Sequence, residues 1–273
     1  MKIITLMDNL SVSSDLESRH GLSFYIETHN HKILFDMGPD GAFAENARKL
    51  GVDLAQVDIA FLSHGHYDHS GGFETFLQEN QKASVHIQKK ALDSIWAKTP
   101  EEKRYIGLND AWRNSSRVVS HEGDYRIDGE LQMFAGVTER ECYSPLNDRL
   151  FVEANGRYIP DLFVHEQNLL IREGNKMVLF AGCAHSGMVN ILEKAQKLTK
   201  NSVCAVFGGM HLHKAFAEEA HQRNFCKNMA KRLKQYSCFY YTGHCTGVGT
   251  YQMFREEMGE QIQYAAAGAV ITI

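Results

Sequence analysis

Four times along this chain of 273 residues, an apolar run leads directly into a glycine-containing loop that carries histidine. The four segments are VDIAFLSHGHYDHSGG, MVLFAGCAHSGM, VCAVFGGMHLH and FYYTGHCTG. Helical periodicity follows at least three of them, in GFETFLQEN, in MVNILEKAQKLTK and between Ala217 and Tyr236. Strands that alternate with helices predict an α/β fold, in which loops at the strand ends form the ligand site. The four histidine loops are therefore expected to converge.

The rest of the chain sets the predicted organisation. KIITLM, LSFYIETH and KILFDMG predict a β-meander at one edge of a sheet. DGAFAENARKLG predicts an amphipathic helix with Gly51 as its C-terminal cap. The stretch from about 85 to 165 is rich in charge and aromatic residues and is poorly periodic. We predict one domain over residues 1–273, in which the segment at about 85–165 is an insertion that serves as surface decoration or as a lid.

The composition of the chain indicates which kinds of binding partner and which cellular compartment to expect. The formal net charge is -4 and the pI is about 6.4, so a nucleic acid would meet no general electrostatic attraction. No stretch approaches the roughly 20 apolar residues of a membrane span, and the first residues lack the apolar core of a signal peptide. The 6 cysteines form no CxxC pair, which favours a reducing compartment. We therefore expect a soluble, cytoplasmic protein with a small-molecule substrate, and neither nucleic acid nor membrane as a partner.

The pattern HxHxDH, formed by His64, His66, Asp68 and His69, ends the first of the four units. In an extended segment, residues two apart point the same way, so His64 and His66 can present their imidazoles to one cation. Asp68 and His69 lie past a turn and can face a second cation. A single histidine is usually an ordinary polar group, but packing does not explain this density of ligand types. We predict these four residues as metal ligands.

Three later histidines extend the predicted site. His185 in GCAHSG and His244 in GHCTG stand beside glycines, which let the backbone turn sharply and approach a site closely. Together with HxHxDH, both are predicted to be ligands. His211 in GGMHL is predicted as a further ligand and as a catalytic residue. Asp36, at the end of KILFDMG, either orients a ligating imidazole or is a simple turn residue. Surface positions or ordinary hydrogen bonds are expected for the remaining histidines: His20, His29, His31, His86, His121, His165 and His221.

HxHxDH followed by separated histidines resembles the metallo-β-lactamase superfamily over essentially the whole chain. The resemblance implies a four-layer αβ/βα sandwich with the metals at the sheet edge. It also implies two sets of ligands: His64, His66 and His185 for one metal, and Asp68, His69 and His244 for the other. One or two divalent cations are expected, with zinc as the first choice and manganese or iron as alternatives.

The motifs FDMGPDG, SHGHYDHSGG, HEQNLLI, GCAHSGMVNIL, FGGMHL and GHCTG look like one branch of that superfamily. These are metal-dependent hydrolases related to the dihydropterin ribofuranosylaminobenzene phosphate synthase. The resemblance implies a hydrolase or transferase for a small anionic metabolite bearing phosphate or carboxylate, with a pterin-related compound as one candidate. Asp68 is expected to orient or deprotonate the attacking group. The alternative is a metal-containing ligand-binding or regulatory protein without turnover.

FGGMHL departs from the wider superfamily, in which a metal-bridging aspartate commonly stands between the third and last histidines. His211 occupies about that position, and the sequence has no carboxylate nearby. Two cations would then share one carboxylate and neutral imidazoles, so the second is expected to bind more weakly or to depend on an anion. Cys183 and Cys245 are expected to be small buried hydrophobic residues rather than ligands.

Side chains of the inserted segment could bind an anion or stack on a planar ring. Each one, taken individually, is expected on the solvated surface. The candidates are Arg104, Arg113, Arg117, Arg140, Trp96, Tyr105 and Trp112.

Overall fold

The computed structural model of the protein describes residues 1–199 and 202–273, which divide into two compact units. Unit 1 consists of Met1–Gly123, Arg149–Gln167 and Ala266–Ile273, and unit 2 of Asp124–Asp148 and Asn168–Ala265. Each unit has a seven-stranded sheet and its own apolar core. The predicted α/β class is confirmed. Among the described residues, no helix has the length and apolar character that crossing a membrane requires.

The sheet of unit 1 combines antiparallel and parallel strands. In spatial order they are β18 (Val270–Thr272), β1 (Lys2–Met7), β2 (Ser23–Glu27), β3 (Lys32–Phe35), β4 (Ile59–Phe61), β5 (Ser84–Gln88) and β8 (Val118–His121). Pairing is antiparallel from β18 to β3 and parallel from β3 to β8. The predicted meander is β1, β2 and β3. Its predicted position at the sheet edge is wrong, because the C-terminal strand β18 pairs outside β1.

Four short helices and a second sheet complete unit 1. The helices are α1 (Ala42–Lys49), α2 (Tyr67–Ser70), α3 (Phe73–Glu79) and α4 (Asp110–Asn114). The second sheet has the order β12 (Arg157–Pro160), β11 (Leu150–Ala154), β6 (Ser94–Lys98) and β7 (Lys103–Tyr105). The predicted helices in DGAFAENARKLG and GFETFLQEN are α1 and α3, and their apolar faces bury Phe43, Phe73 and Phe76. Gly51, just past α1, has a φ of +72°, as a C-terminal cap requires.

The segment at about 85–165 supplies strands to all three sheets. Only β6, β7, β11 and β12 form a sheet of their own, whereas β5 and β8 belong to the large sheet of unit 1. The assignment of residues 1–273 to a single domain with an insertion stays a prediction.

The sheet of unit 2 has a parallel half that carries three of the four histidine units. In spatial order its strands are β17 (Ile262–Tyr264), β16 (Phe239–Thr242), β15 (Val203–Phe207), β14 (Lys176–Phe180), β13 (Gln167–Glu173), β10 (Leu131–Ala135) and β9 (Tyr125–Arg126). Strands β14 to β17 are parallel. The runs in β14 and β15 are almost wholly buried, as is typical of parallel strands covered on both faces. The ends of β14, β15 and β16 therefore place three loops at one sheet edge.

Three helices pack in unit 2, in or after the predicted helical stretches. They are α5 (Met188–Leu198), α6 (Glu219–Leu233) and α7 (Val248–Met258). The buried face of α5 includes Met188, Ile191 and Leu192, which join the unit 2 core. The predicted pattern for α5 extends to Lys200, which lies outside the described residues.

Candidate metal centre

The HxHxDH segment of unit 1 runs from the loop after β4 into helix α2. His64 and His69 are fully buried, and His66 and Asp68 nearly so. The ring centroid of His64 lies 4.5 Å from that of His66 and 4.2 Å from that of His69. Oδ2 of Asp68 lies 3.3 Å from Nε2 of the exposed His20. The structure thus brings the four predicted HxHxDH residues together.

Two glycines after HxHxDH allow a close approach to the loop that follows β3. A Cβ on Gly71 would lie 1.8 Å from the carbonyl oxygen of Pro39, and a Cβ on Gly72 would lie 2.2 Å from that of Met37. The backbone N–H of Met37 also donates to the carbonyl oxygen of His69 at 2.7 Å. These close approaches and the Met37 hydrogen bond hold the HxHxDH turn against the loop that carries Asp36.

Asp36 is fully buried and accepts three hydrogen bonds of 2.7 Å, from the backbone N–H of Ser63, Oγ of Ser63 and Nδ1 of His69. A carboxylate only accepts, so Nδ1 of His69 carries the ring proton. The Ser63 hydroxyl hydrogen points to Asp36, so Oγ accepts from Nδ1 of His64 at 2.8 Å. In its neutral form, each ring therefore carries its lone pair on Nε2, the state in which imidazole binds a metal. The orienting role of Asp36 at a metal stays a prediction.

The electrostatics of this cluster favour neutral rings. Burial, followed by the neighbouring His69 and His66, lowers the pKa of His64 well below its usual value. Burial, with a smaller effect of His165, lowers the pKa of His66 to about 3. Cations bind neutral imidazoles and carboxylates, so the donor set of unit 1 fits a divalent metal ion in residue type, and the lowered pKa values of His64 and His66 favour the neutral rings that a cation needs.

Sequence reasoning did not select two buried residues beside this cluster, Asp161 and His165. The backbone N–H of Gly65 donates to Nδ1 of His165 at 3.2 Å, and Nε2 of His165 donates to Oδ2 of Asp161 at 2.9 Å. His66, Asp161 and His165 offer ligand atoms within 4.8 Å of one another. Both nitrogens of His165 are engaged, however, so this histidine positions the turn between His64 and His66. In the sequence, His165 is the first residue of the motif HEQNLLI, which is the feature that could have drawn attention to it.

In unit 2, the other predicted ligands follow β14, β15 and β16. His185 and His244 are fully buried, and His211 is partly buried. Positive φ angles occur at or beside these histidines, with 54° at Ala184, 49° at His211 and 46° at His244. This left-handed conformation is uncommon for residues with a side chain, and such residues cluster at functional sites. The strand ends of unit 2 therefore carry a constrained set of histidines.

Asn147 fixes the orientation of His185. Nδ2 of Asn147 donates to the carbonyl oxygen of His185 at 2.9 Å, which leaves Oδ1 to accept from Nδ1 of His185 at 3.0 Å. The lone pair of His185 consequently lies on Nε2. The ring centroid of His185 lies 4.2 Å from that of His211. No sequence pattern in SPLND marks Asn147 for this role.

Cys245 directly follows His244 and is a buried thiol with a lowered pKa. Burial by itself raises the pKa of the Cys245 thiol. Contacts with Cys183, His211 and His244 outweigh that effect and hold this pKa well below its usual value.

Two of the residues proposed for the lid have structural roles. Trp112 is 1% exposed, stacks on Phe73 at 3.9 Å between centroids and donates from Nε1 to the carbonyl oxygen of Ser70. Its expected place on the surface is wrong, because its ring fills the core of unit 1. Arg117 donates two hydrogen bonds to oxygens of Asn80 and holds the start of β8.

The comparisons with known proteins agree with this arrangement. The family profile described as the metallo-beta-lactamase superfamily matches residues 17–157, more than half of the chain. The chain belongs to the metallo-beta-lactamase superfamily. A solved structure of a metal-dependent hydrolase of the beta-lactamase superfamily superposes with a TM-score of 0.83 at 28% identity, over 100% of this chain and 99% of that chain. The predicted metallo-β-lactamase fold type is confirmed.

Two curated relatives come from Methanocaldococcus jannaschii. The 7,8-dihydropterin-6-methyl-4-(beta-D-ribofuranosyl)-aminobenzene-5'-phosphate synthase is 29% identical over 99% of this chain and 96% of its own length. An uncharacterized protein is 28% identical over 89% of each chain. The predicted resemblance to this branch of the metallo-beta-lactamase superfamily is confirmed.

Proposed function

We propose that this protein is a metal-dependent hydrolase or transferase that acts on a small anionic metabolite, with a phosphate-bearing, pterin-related compound as the first candidate. The Asp36 network carries the proposal. It places the Nδ1 proton of His64 and His69, both buried, so that Nε2 is the nitrogen left for a metal in each neutral ring of the family's HxHxDH motif. The similarity to a synthase of a ribofuranosyl-aminobenzene 5'-phosphate supports the choice of substrate class.

The proposed site holds one or two divalent cations, with zinc as the first choice and manganese or iron as alternatives. The proposed ligands are the histidines and the aspartate already described. They are His64, His66, Asp68 and His69 in unit 1, and His185, His211 and His244 in unit 2. When bound, such a cation supplies a Lewis acid that polarises a phosphoryl or carbonyl oxygen.

Asp68 is the proposed proton acceptor. The Asp68 side chain is 10% exposed, and its Oδ2 lies 3.3 Å from Nε2 of His20, whose side chain is 57% exposed. Asp68 can take the proton of the attacking group at Oδ2, and His20 can pass it to solvent. This role serves hydrolysis and group transfer alike, because both need the nucleophile to lose a proton.

The test starts from metal-free protein that is reconstituted separately with zinc, manganese or ferrous iron. Diphosphate release is measured with a dihydropterin diphosphate and an aminobenzene ribotide, and hydrolysis is measured with phosphoester, thioester and lactone substrates. We expect turnover with at least one metal, and its loss together with bound metal in His64→Ala. The exposed His29→Ala is the matched control and should keep both.

Two results would contradict the proposal in different ways. Stoichiometric metal with saturable substrate binding but no turnover would favour the ligand-binding alternative. The absence of tightly bound metal in carefully prepared protein would remove the basis of both.

A further inference from the structure

Three ligand-type side chains in unit 2 meet at the ends of three neighbouring strands. Cys183 follows β14, His211 follows β15 and Cys245 follows β16. Their sulfur and ring nitrogen atoms all lie within 4.8 Å of one another. Cys183 and Cys245 are 2% and 5% exposed. The two thiols that the sequence suggests are core residues therefore flank a histidine.

The backbone is shaped to admit the sulfur of Cys245. A Cβ on Gly209 would lie 2.3 Å from Sγ of Cys245, so only glycine leaves room for the sulfur at this position. The backbone N–H of His211 donates to the same sulfur at 3.2 Å. Sγ of Cys245 in turn lies 3.7 Å from the carbonyl oxygen of Cys183. These contacts hold the sulfur beside the histidine ring.

The ring of His211 supplies an independent observation. Both of its nitrogens are buried, and among the described residues neither makes a hydrogen bond of normal distance and angle, although the ring lies beside the sulfur of Cys245. Buried polar atoms are normally satisfied, and each one that is not requires an explanation. His211 also keeps a left-handed backbone with φ of 49°, which a packing histidine would not need.

Three interpretations compete for this cluster. Two inert buried cysteines would account for the thiols but not for the His211 nitrogens. A Cys183–Cys245 disulfide would consume both sulfurs and would leave the same nitrogens unexplained. A metal ion accounts for all three side chains, because two thiolates and an imidazole are the ligands that zinc prefers.

We propose that Cys183, His211 and Cys245 bind a thiophilic divalent cation of the zinc class through two thiolates and one imidazole. Binding releases the two thiol protons to solvent. The proposal rests on unit 2 alone, and it assigns His211 to this cation instead of to the ligand set proposed above.

Cobalt substitution tests this ligand set, because thiolate ligation produces a sulfur-to-cobalt charge-transfer band in the near ultraviolet and imidazole ligation does not. We expect the band when cobalt is added to metal-free, reduced protein. It should be lost in Cys183→Ser and in Cys245→Ser. The buried cysteines Cys226 and Cys238 are matched controls in the same unit, and their serine variants should keep the band.

Two further measurements separate this proposal from its competitors. The double variant with His64→Ala and His66→Ala should keep the charge-transfer band even when it loses turnover, so the two proposals can fail separately. Thiol titration of the denatured, unreduced protein should find all 6 cysteines reactive. Cobalt that binds without the band, a band that survives in either serine variant, or two missing thiols would overturn the thiolate site.

Discussion

The substitution Asp36→Asn tests whether one buried carboxylate sets the chemistry of the HxHxDH cluster. Asparagine keeps the size of aspartate but replaces one accepting oxygen with an N–H2 group. If its oxygen keeps the bond from the backbone of Ser63, its amino group faces Oγ of Ser63 and Nδ1 of His69. Oγ must then accept, and its hydrogen turns toward Nδ1 of His64. Both rings are driven to carry their proton on Nε2, where a metal would need the lone pair.

The magnitude follows from the contacts that are lost. Asp36 is fully buried and receives three bonds of 2.7 Å, at least one of which asparagine cannot replace. A hydrogen bond to a charged group contributes about 1.5–3 kcal/mol, so the free energy of unfolding should fall by about that amount. Loss of a group that orients metal ligands typically weakens metal binding by about 10–100-fold. We expect both effects in Asp36→Asn.

Three measurements check this prediction. Competition with a chromophoric chelator gives the zinc affinity, urea unfolding gives the stability, and ¹⁵N chemical shifts of the metal-free protein report the tautomers of His64 and His69. Asp8→Asn is the control, since Asp8 is equally buried but accepts from the backbone of Leu10. An Asp36→Asn protein with unchanged zinc affinity and with Nδ1-protonated rings would refute the reasoning.

Three other predictions concern stability. Gly71→Ala should cost at least about 2 kcal/mol in urea unfolding because its Cβ meets backbone, whereas Gly249→Ala, at an exposed helix position with open space, should be neutral or slightly stabilising. Trp112→Ala should cost about 3–5 kcal/mol by the same assay, and a value under about 1 would place its ring outside the core. Burial, and then His121, lowers the pKa of His86 from 6.5 to about 4. The unfolded chain therefore binds the extra proton between those values, so stability should fall as pH drops through this window, and His86→Gln should flatten that slope.

The strands and helices near the four histidine units could be predicted because the hydrophobic pattern of each lies within one short, continuous segment. HxHxDH, the strand ending in KILFDMG and the helix in DGAFAENARKLG are local signals of this kind. The strand β18 could not be predicted in the same way, since its three residues are exposed or partly exposed and, among the described strands, pair with β1 alone. Short edge strands bury too little to leave a clear pattern.

Within the candidate site, the sequence predicted which residues could be metal ligands, but it did not predict the contacts that orient them. Gly65 and His165 are 100 residues apart, and Asn147 and His185 are 38 apart. Cys183 and Cys245 are separated by 62 residues, and each alone is typical of a buried core position. Contacts of this range depend on which strands become neighbours, and no local pattern encodes that.

The left-handed backbone at His211 and His244 carries a cost in folding stability. A residue with a side chain costs about 1–3 kcal/mol in this conformation, whereas glycine adopts it freely. A descendant that no longer needed the chemistry would therefore become more robust by mutating either position to glycine. In this chain both positions carry imidazole, so the fold bears at each a conformational cost that glycine would remove.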